Sequence, residues 1–73
     1  MKIWVDADAC PAAIKDVIVR AALRLSIAAV FVANKRIGLP DSVHLSTVRV
    51  GMGPEVVDEY IAEHAGPCDL AVT

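Results

Sequence analysis

Two carboxylates, Asp6 and Asp8, stand two positions apart, where the apolar run Ile3-Trp4-Val5 gives way to Ala9-Cys10-Pro11. Carboxylates held together repel each other, and the repulsion grows as water is excluded. A bound cation or a shared proton offsets that cost. A third acid, Asp58, lies on an expected second helix. At about 100° per residue, Val57, Tyr60, Ile61 and His64 fall within one apolar arc. Asp58 flanks that arc, whereas Glu59 points nearly opposite. A flanking acid can lean into a cleft; an opposite one meets solvent. Asp6, Asp8 and Asp58 are therefore the candidate metal ligands, with Asp6 and Asp8 as the candidate catalytic pair. Three carboxylates with room for water suit Mg²⁺ or Mn²⁺, which take hard oxygen donors. Such an ion lowers the pKa of a bound water and stabilises charge on a phosphoryl oxygen. The plainer readings are that Asp8 caps the first helix and that Asp58 is a solvated helix position.

The remaining polar residues carry weaker signals. Asn34, Lys35 and Arg36 follow the second expected strand and are the candidate substrate-binding residues. Lys35, Arg36 and Arg49 can reach phosphates near the strand ends, and each also reads as a solvated surface charge. Cys10 sits at a helix N-terminus, a position that lowers a thiol pKa. No Arg or His lies nearby in sequence to complete thiol chemistry, so Cys10 reads as a small packed residue. Cys68 has no functional argument. His44 and His64 lack ligand spacing, and Trp4 reads as core.

The elements that must position these residues are short. Lys2 to Val5 forms a buried strand. Pro11 fits the first helical position, where its missing N–H costs nothing. Ile14, Val17, Ile18, Ala21, Ala22 and Leu25 follow at helical spacing, and Asp16, Arg20 and Arg24 ladder along a solvated face. Val19 and Leu23 widen the apolar surface, so this helix is expected to be covered on two sides. Ile27 to Ala33 is a continuous apolar run of strand length, which suits a strand buried on both faces. Asn34 to Ser42 is a loop. Val43 to Val50 is a third strand whose imperfect alternation calls for a bulge or an edge position. Gly51-Met52-Gly53 leads into a helix opened by Pro54 and stopped by Gly66-Pro67. Asp69 to Thr73 begins a fourth strand.

The order β-α-β-β-α-β argues for the α/β class, a three-layer α/β/α arrangement around a mainly parallel sheet. Ligands of such sheets bind beyond the C-terminal strand ends, where Asp6, Asp8 and Asn34 lie. A chain of 73 residues makes one small domain with a marginal core. At 56% hydrophobic residues it is not a disordered tail. No stretch of ~18 apolar residues offers a membrane span. The N-terminus does not read as a signal peptide, and two thiols without one point to a reducing cytoplasm. A net charge of −2 gives no general pull toward nucleic acid, so any such contact must be local. An open sheet needs a helix after its last central strand. Either a longer chain or a second copy in a homodimer is expected to supply that cover.

These residues resemble the YaiI/YqxD family of uncharacterised bacterial proteins. The resemblance rests on Trp4-Val5-Asp6-Ala7-Asp8-Ala9-Cys10-Pro11, on Val32-Ala33-Asn34, on Gly51 through Asp58-Glu59-Tyr60-Ile61, and on Glu63-His64-Ala65-Gly66-Pro67-Cys68-Asp69-Leu70-Ala71-Val72-Thr73. Members of that family are about twice this long, so residues 1–73 look like an N-terminal half, truncated after the fourth strand. The family is in turn similar to PIN-like nuclease domains. That likeness implies Asp6, Asp8 and Asp58 as metal ligands, a further acid after the fourth strand, and a metal-dependent phosphodiesterase acting on RNA or DNA. An apolar strand ending in Asp-x-Asp also resembles haloacid-dehalogenase-like phosphatases, in which the first acid is a nucleophile and the second a general acid. Cys10 stands where that motif has Thr. A third reading is a non-catalytic binding or assembly module with a degenerate acidic site.

Overall fold

The computed structural model describes residues 1–53 and 55–72. In chain order the elements are β1 (Lys2–Asp6), α1 (Ala12–Leu25), β2 (Ala28–Ala33), β3 (Leu45–Arg49), α2 (Val56–His64) and β4 (Leu70–Val72). The four strands form one sheet in the order β3-β2-β1-β4. Every pairing is parallel. This is the α/β class and the β-α-β-β-α-β order that the sequence predicts, with a sheet that is parallel throughout. The arrangement is consistent with part of a PIN-like fold.

The chain runs outward from β1 through β2 to β3, then returns through α2 to place β4 on the other side of β1. Parallel crossovers are right-handed, so the two directions of travel put α1 and α2 on opposite faces. The strand side chains divide accordingly. Ile3, Val5, Ala29, Phe31 and Ala33 pack with Val19 and Ala22 of α1. Trp4, Val30 and Val32 pack with Val57 and Ile61 of α2. Phe31, Val5 and Val32 are fully buried. Fully burying such a side chain contributes about 1.5–3 kcal/mol, so the two central strands carry much of the core.

The third strand is shorter than Val43 to Val50. Its register with β2 runs unbroken from Ala29↔Leu45 to Ala33↔Arg49, with no bulge. Its position at the sheet edge accounts for the imperfect alternation. Val43 is almost fully exposed, outside the strand. Pro54 and Thr73, expected to open α2 and to end the fourth strand, lie outside the described residues. Pro11 is the residue before α1 rather than its first, and no side chain caps the helix. Asp8 is therefore not its cap. Ser26 ends α1 in the left-handed region, at φ 55°. Of the expected ladder, Arg20 and Asp16 pair at 3.0 Å.

Helix α1 is rotated from the expected stripe. Val19 and Ala22 are buried, with Ile18 packed beside them. Ile14, Val17 and Leu25 are 45%, 61% and 57% exposed. The helix carries overlapping apolar stripes, and spacing alone cannot choose between them. The stripe through Val19 and Ala22 is the one turned to the sheet, in one buried cluster with Phe31 and Ala33. Among the described residues, no helix is long and apolar enough to cross a membrane.

Two substitutions in one helix check this orientation, because helix propensity cancels between them. Val19→Ala is expected to cost about 1.5 kcal/mol more than Val17→Ala, two buried carbons against two exposed ones. Chemical denaturation of both variants measures the difference; equal costs would contradict the observed face.

Candidate acidic site at the sheet switch point

The reversal of strand order at β1 leaves a crevice between β1 and β4 at their C-terminal ends. Open α/β sheets bind ligands at such a switch point. Asp6 is the last residue of β1 and shares the face of Trp4, toward α2. It is the one buried charged residue of the described core, at 9% exposure. Its Oδ1 accepts a hydrogen bond from the Ala9 amide at 3.2 Å. Its carbonyl accepts one from the Cys10 amide at 3.0 Å. The strand end is thereby folded into a tight turn that fixes the carboxylate. Oδ2 has no hydrogen-bond partner among the described residues. No side-chain polar atom sealed from water lacks a partner there, so Oδ2 stays open to solvent.

Asp6 lines a cleft of about 560 Å³ together with Asp58, Ile61, Ala62 and Ala71. Asp58 is an exposed residue of the first turn of α2. The flank position read from the helical arc thus brings it to the same cleft as Asp6. Ala62, Ala65 and Ala71 supply the room, since small side chains leave the carboxylates uncovered.

Asp8 stands differently. It does not line the cleft. Its Oδ2 accepts a hydrogen bond from the Asn34 amide at 2.8 Å, tying the loop after β2 to the end of β1. Among the described residues, no three His, Cys, Asp or Glu side chains converge on a metal position. Of the expected trio, Asp6 and Asp58 share the cleft, and Asp8 lies outside its lining. The donor chemistry still fits Mg²⁺ or Mn²⁺. Mg²⁺ keeps several of its waters and is commonly bound through one or two carboxylates.

Lys35 and Arg36 line a separate pocket with Arg49, not the acidic cleft. Only Asn34 of the expected substrate-binding trio is tied to the acidic turn, through Asp8. Cys10 is buried and Cys68 exposed. His64 is exposed and stacks on Tyr60 at 4.0 Å. Tyr60 in turn packs at 6.2 Å from Trp4.

Asp69 escapes the sequence reading. Its Oδ1 accepts from the Lys2 amide at 3.0 Å, and its Oδ2 from the Trp4 indole and the Gly66 amide, both at 2.9 Å. This one carboxylate fastens the start of β4 to the start of β1. The available signal was a turn former three residues after Gly66, just before a strand. The Gly66 amide holds the Asp69 carboxyl below its ordinary range. The Trp4 indole, the Lys2 amide and the N-terminal amine act the same way, and desolvation opposes them.

A family model described as Uncharacterized BCR, YaiI/YqxD family matches residues 4–73. The chain belongs to the YaiI/YqxD family. A relative named UPF0178 protein from Syntrophobacter fumaroxidans is 68% identical over 73 residues, which cover all of this chain and 48% of the relative. UPF0178 proteins from Myxococcus xanthus and Solidesulfovibrio magneticus are each 53% identical over 73 residues, covering 48% and 49% of those chains. The chain thus spans about half the length of the YaiI/YqxD relatives it matches. No solved structure matches it.

The Asp69 contacts give a pH dependence. A carboxyl whose folded pKa lies below its unfolded value stabilises the fold above the unfolded pKa, about 4, and that contribution fades as pH falls through the lower folded value. Asp69→Asn is therefore expected to lower Tm at neutral pH and to lose less on acidification below about pH 4 than the parent. Melting followed by Trp4 fluorescence checks this; parallel pH profiles for the two proteins would contradict it.

Proposed function

We propose that this chain contributes the acidic half of a divalent-metal-dependent phosphodiesterase acting on RNA or DNA. The observation that carries the reading is the shared cleft of Asp6 and Asp58 at the β1–β4 switch point. Asp6 and Asp58 would hold Mg²⁺ or Mn²⁺. When bound there, the ion lowers the pKa of a water ligand and stabilises charge on a phosphoryl oxygen. The turn from Asp6 to Cys10 keeps one carboxylate oxygen committed to the Ala9 amide and the other available. That preorganisation avoids reordering the side chain when a cation arrives. Asp8 holds the Asn34 amide, so its role in this reading is to tie the loop after β2 to the end of β1 rather than to line the cleft. Ile61, Ala62 and Ala71 give the cleft a wall of small and apolar side chains that leaves both carboxylates accessible to a hydrated cation.

Calorimetry of the full-length protein tests the proposal. Mn²⁺ is expected to bind, and Asp6→Asn or Asp58→Asn is expected to weaken it by about tenfold or more, a loss of ~1.4 kcal/mol. Cleavage of a labelled oligonucleotide should fall in the same variants. Absence of Mn²⁺ binding, or binding that ignores both substitutions, would overturn the reading. Trapping of beryllofluoride at Asp6 would instead favour phosphatase chemistry with Asp6 as nucleophile.

A further inference from the structure

A second concave site lies across the sheet from the acidic cleft. Lys35, Arg36 and Arg49 line a pocket of about 160 Å³, with Thr47 at its side and Phe31 at its base. Lys35 and Arg36 come from the turn after β2, and Arg49 is the last residue of β3. The parallel register pairs Phe31 with Thr47 and Ala33 with Arg49. Phe31 and Ala33 belong to the core beneath α1, so the pocket opens on the α1 face. The acidic cleft opens on the α2 face, and the two share no residue.

The charge balance of this pocket is unusual for the chain. Acids outnumber bases, nine to seven, yet three bases and no acid line it. The ion pair among the described residues is Arg20 with Asp16, on the outer surface of α1. None of the three pocket cations is paired with a carboxylate among the described residues. Gathering three like charges costs repulsion, which a bound anion relieves. Two guanidinium groups offer planar forks that match the oxygens of a phosphate, and Lys35 adds a point charge. The Thr47 hydroxyl offers a neutral donor. Phe31 and the half-buried Ile37 supply the apolar part of the lining.

We propose that Lys35, Arg36 and Arg49 form a phosphate-binding pocket that operates without metal. Its ligand is a phosphate group, either a backbone phosphodiester of a single-stranded nucleic acid or a free phosphate ion. The site stands apart from the metal reading because neither Asp6 nor Asp58 lines it.

The test uses the full-length protein in EDTA, so metal binding cannot enter. Inorganic phosphate is titrated while amide shifts are followed by NMR, and a short fluorescent single-stranded RNA is titrated by anisotropy at several salt concentrations. Shifts centred on Lys35, Thr47 and Arg49 with phosphate alone identify the free ion as a ligand. RNA binding without such shifts identifies the phosphodiester. In the double variant R36A/R49A, binding of the recognised ligand is expected to fall about tenfold or more. For RNA, the slope of log K against log salt should also shrink by about 1.4, two contacts at 0.7 each. R49K, which keeps the charge and loses the fork, should fall between the parent and R49A. All three residues are exposed, and unchanged circular dichroism melting confirms that the variants fold. If neither ligand binds the parent, or R36A/R49A binds both as well as the parent does, the proposal is wrong. Either result leaves the Mn²⁺ test of Asp6 unaffected.

Discussion

Parallel pairing of β1 on both edges is the constraint on which the rest of the structure depends. With β2 on one side and β4 on the other, β1 cannot be solvated on either edge, and its two faces are covered by α1 and α2. Ile3, Trp4 and Val5 are all buried for that reason. The same geometry delivers Asp6 to the point where the chain changes direction across the sheet. A carboxylate there is shielded by protein below and open to a cleft above. Moving it one residue along the strand would turn it to the other face, because side chains alternate.

Maintaining β4 beside β1 is demanding, since among the described residues β4 has three and lies at an edge. Three backbone pairs are a modest hold. Asp69 strengthens that seam with contacts to the Lys2 amide, the Trp4 indole and the Gly66 amide. Trp4 links the seam onward to Tyr60 and hence to α2, the helix that carries Asp58. The residues that hold the β1–β4 crevice together and those that line it are thus parts of one packed unit. Hydrogen bonds to a charged carboxylate contribute more than neutral ones, which explains why one side chain can serve as the fastener.

Much of this was legible in the sequence. The apolar run Ile27 to Ala33 has the length and continuity of a strand buried on both faces, and β2, Ala28–Ala33, occupies that place. Asp58 was separable from Glu59 by helical phase alone, and the structure puts Asp58 at the cleft. Other features were not legible because they depend on tertiary choice. The apolar stripes of α1 overlap, so only packing of Ala22 on the sheet decides between Val17 and Val19. The spacing of Asp6 and Asp8 shows that they are near one another, not that they turn to different partners. Asp6 bonds to Ala9, whereas Asp8 bonds to Asn34, 26 positions away in sequence. Lys35, Arg36 and Arg49 look scattered until the β2–β3 register brings the last of them beside the first two. Ser26 gave no helix-stop signal of the usual kind, because its left-handed conformation is more often occupied by glycine.

The central claim is that Asp6 and Asp58 face a common cation at the β1–β4 crevice. Paramagnetic broadening by Mn²⁺ in the NMR spectrum of the full-length protein tests it most directly. The account predicts that substoichiometric Mn²⁺ broadens the amide signals of Asp6, Ala9, Ala62 and Ala71 first, with those of Lys35 and Arg49 on the far face affected last. Broadening that begins elsewhere, or none at all, would contradict it.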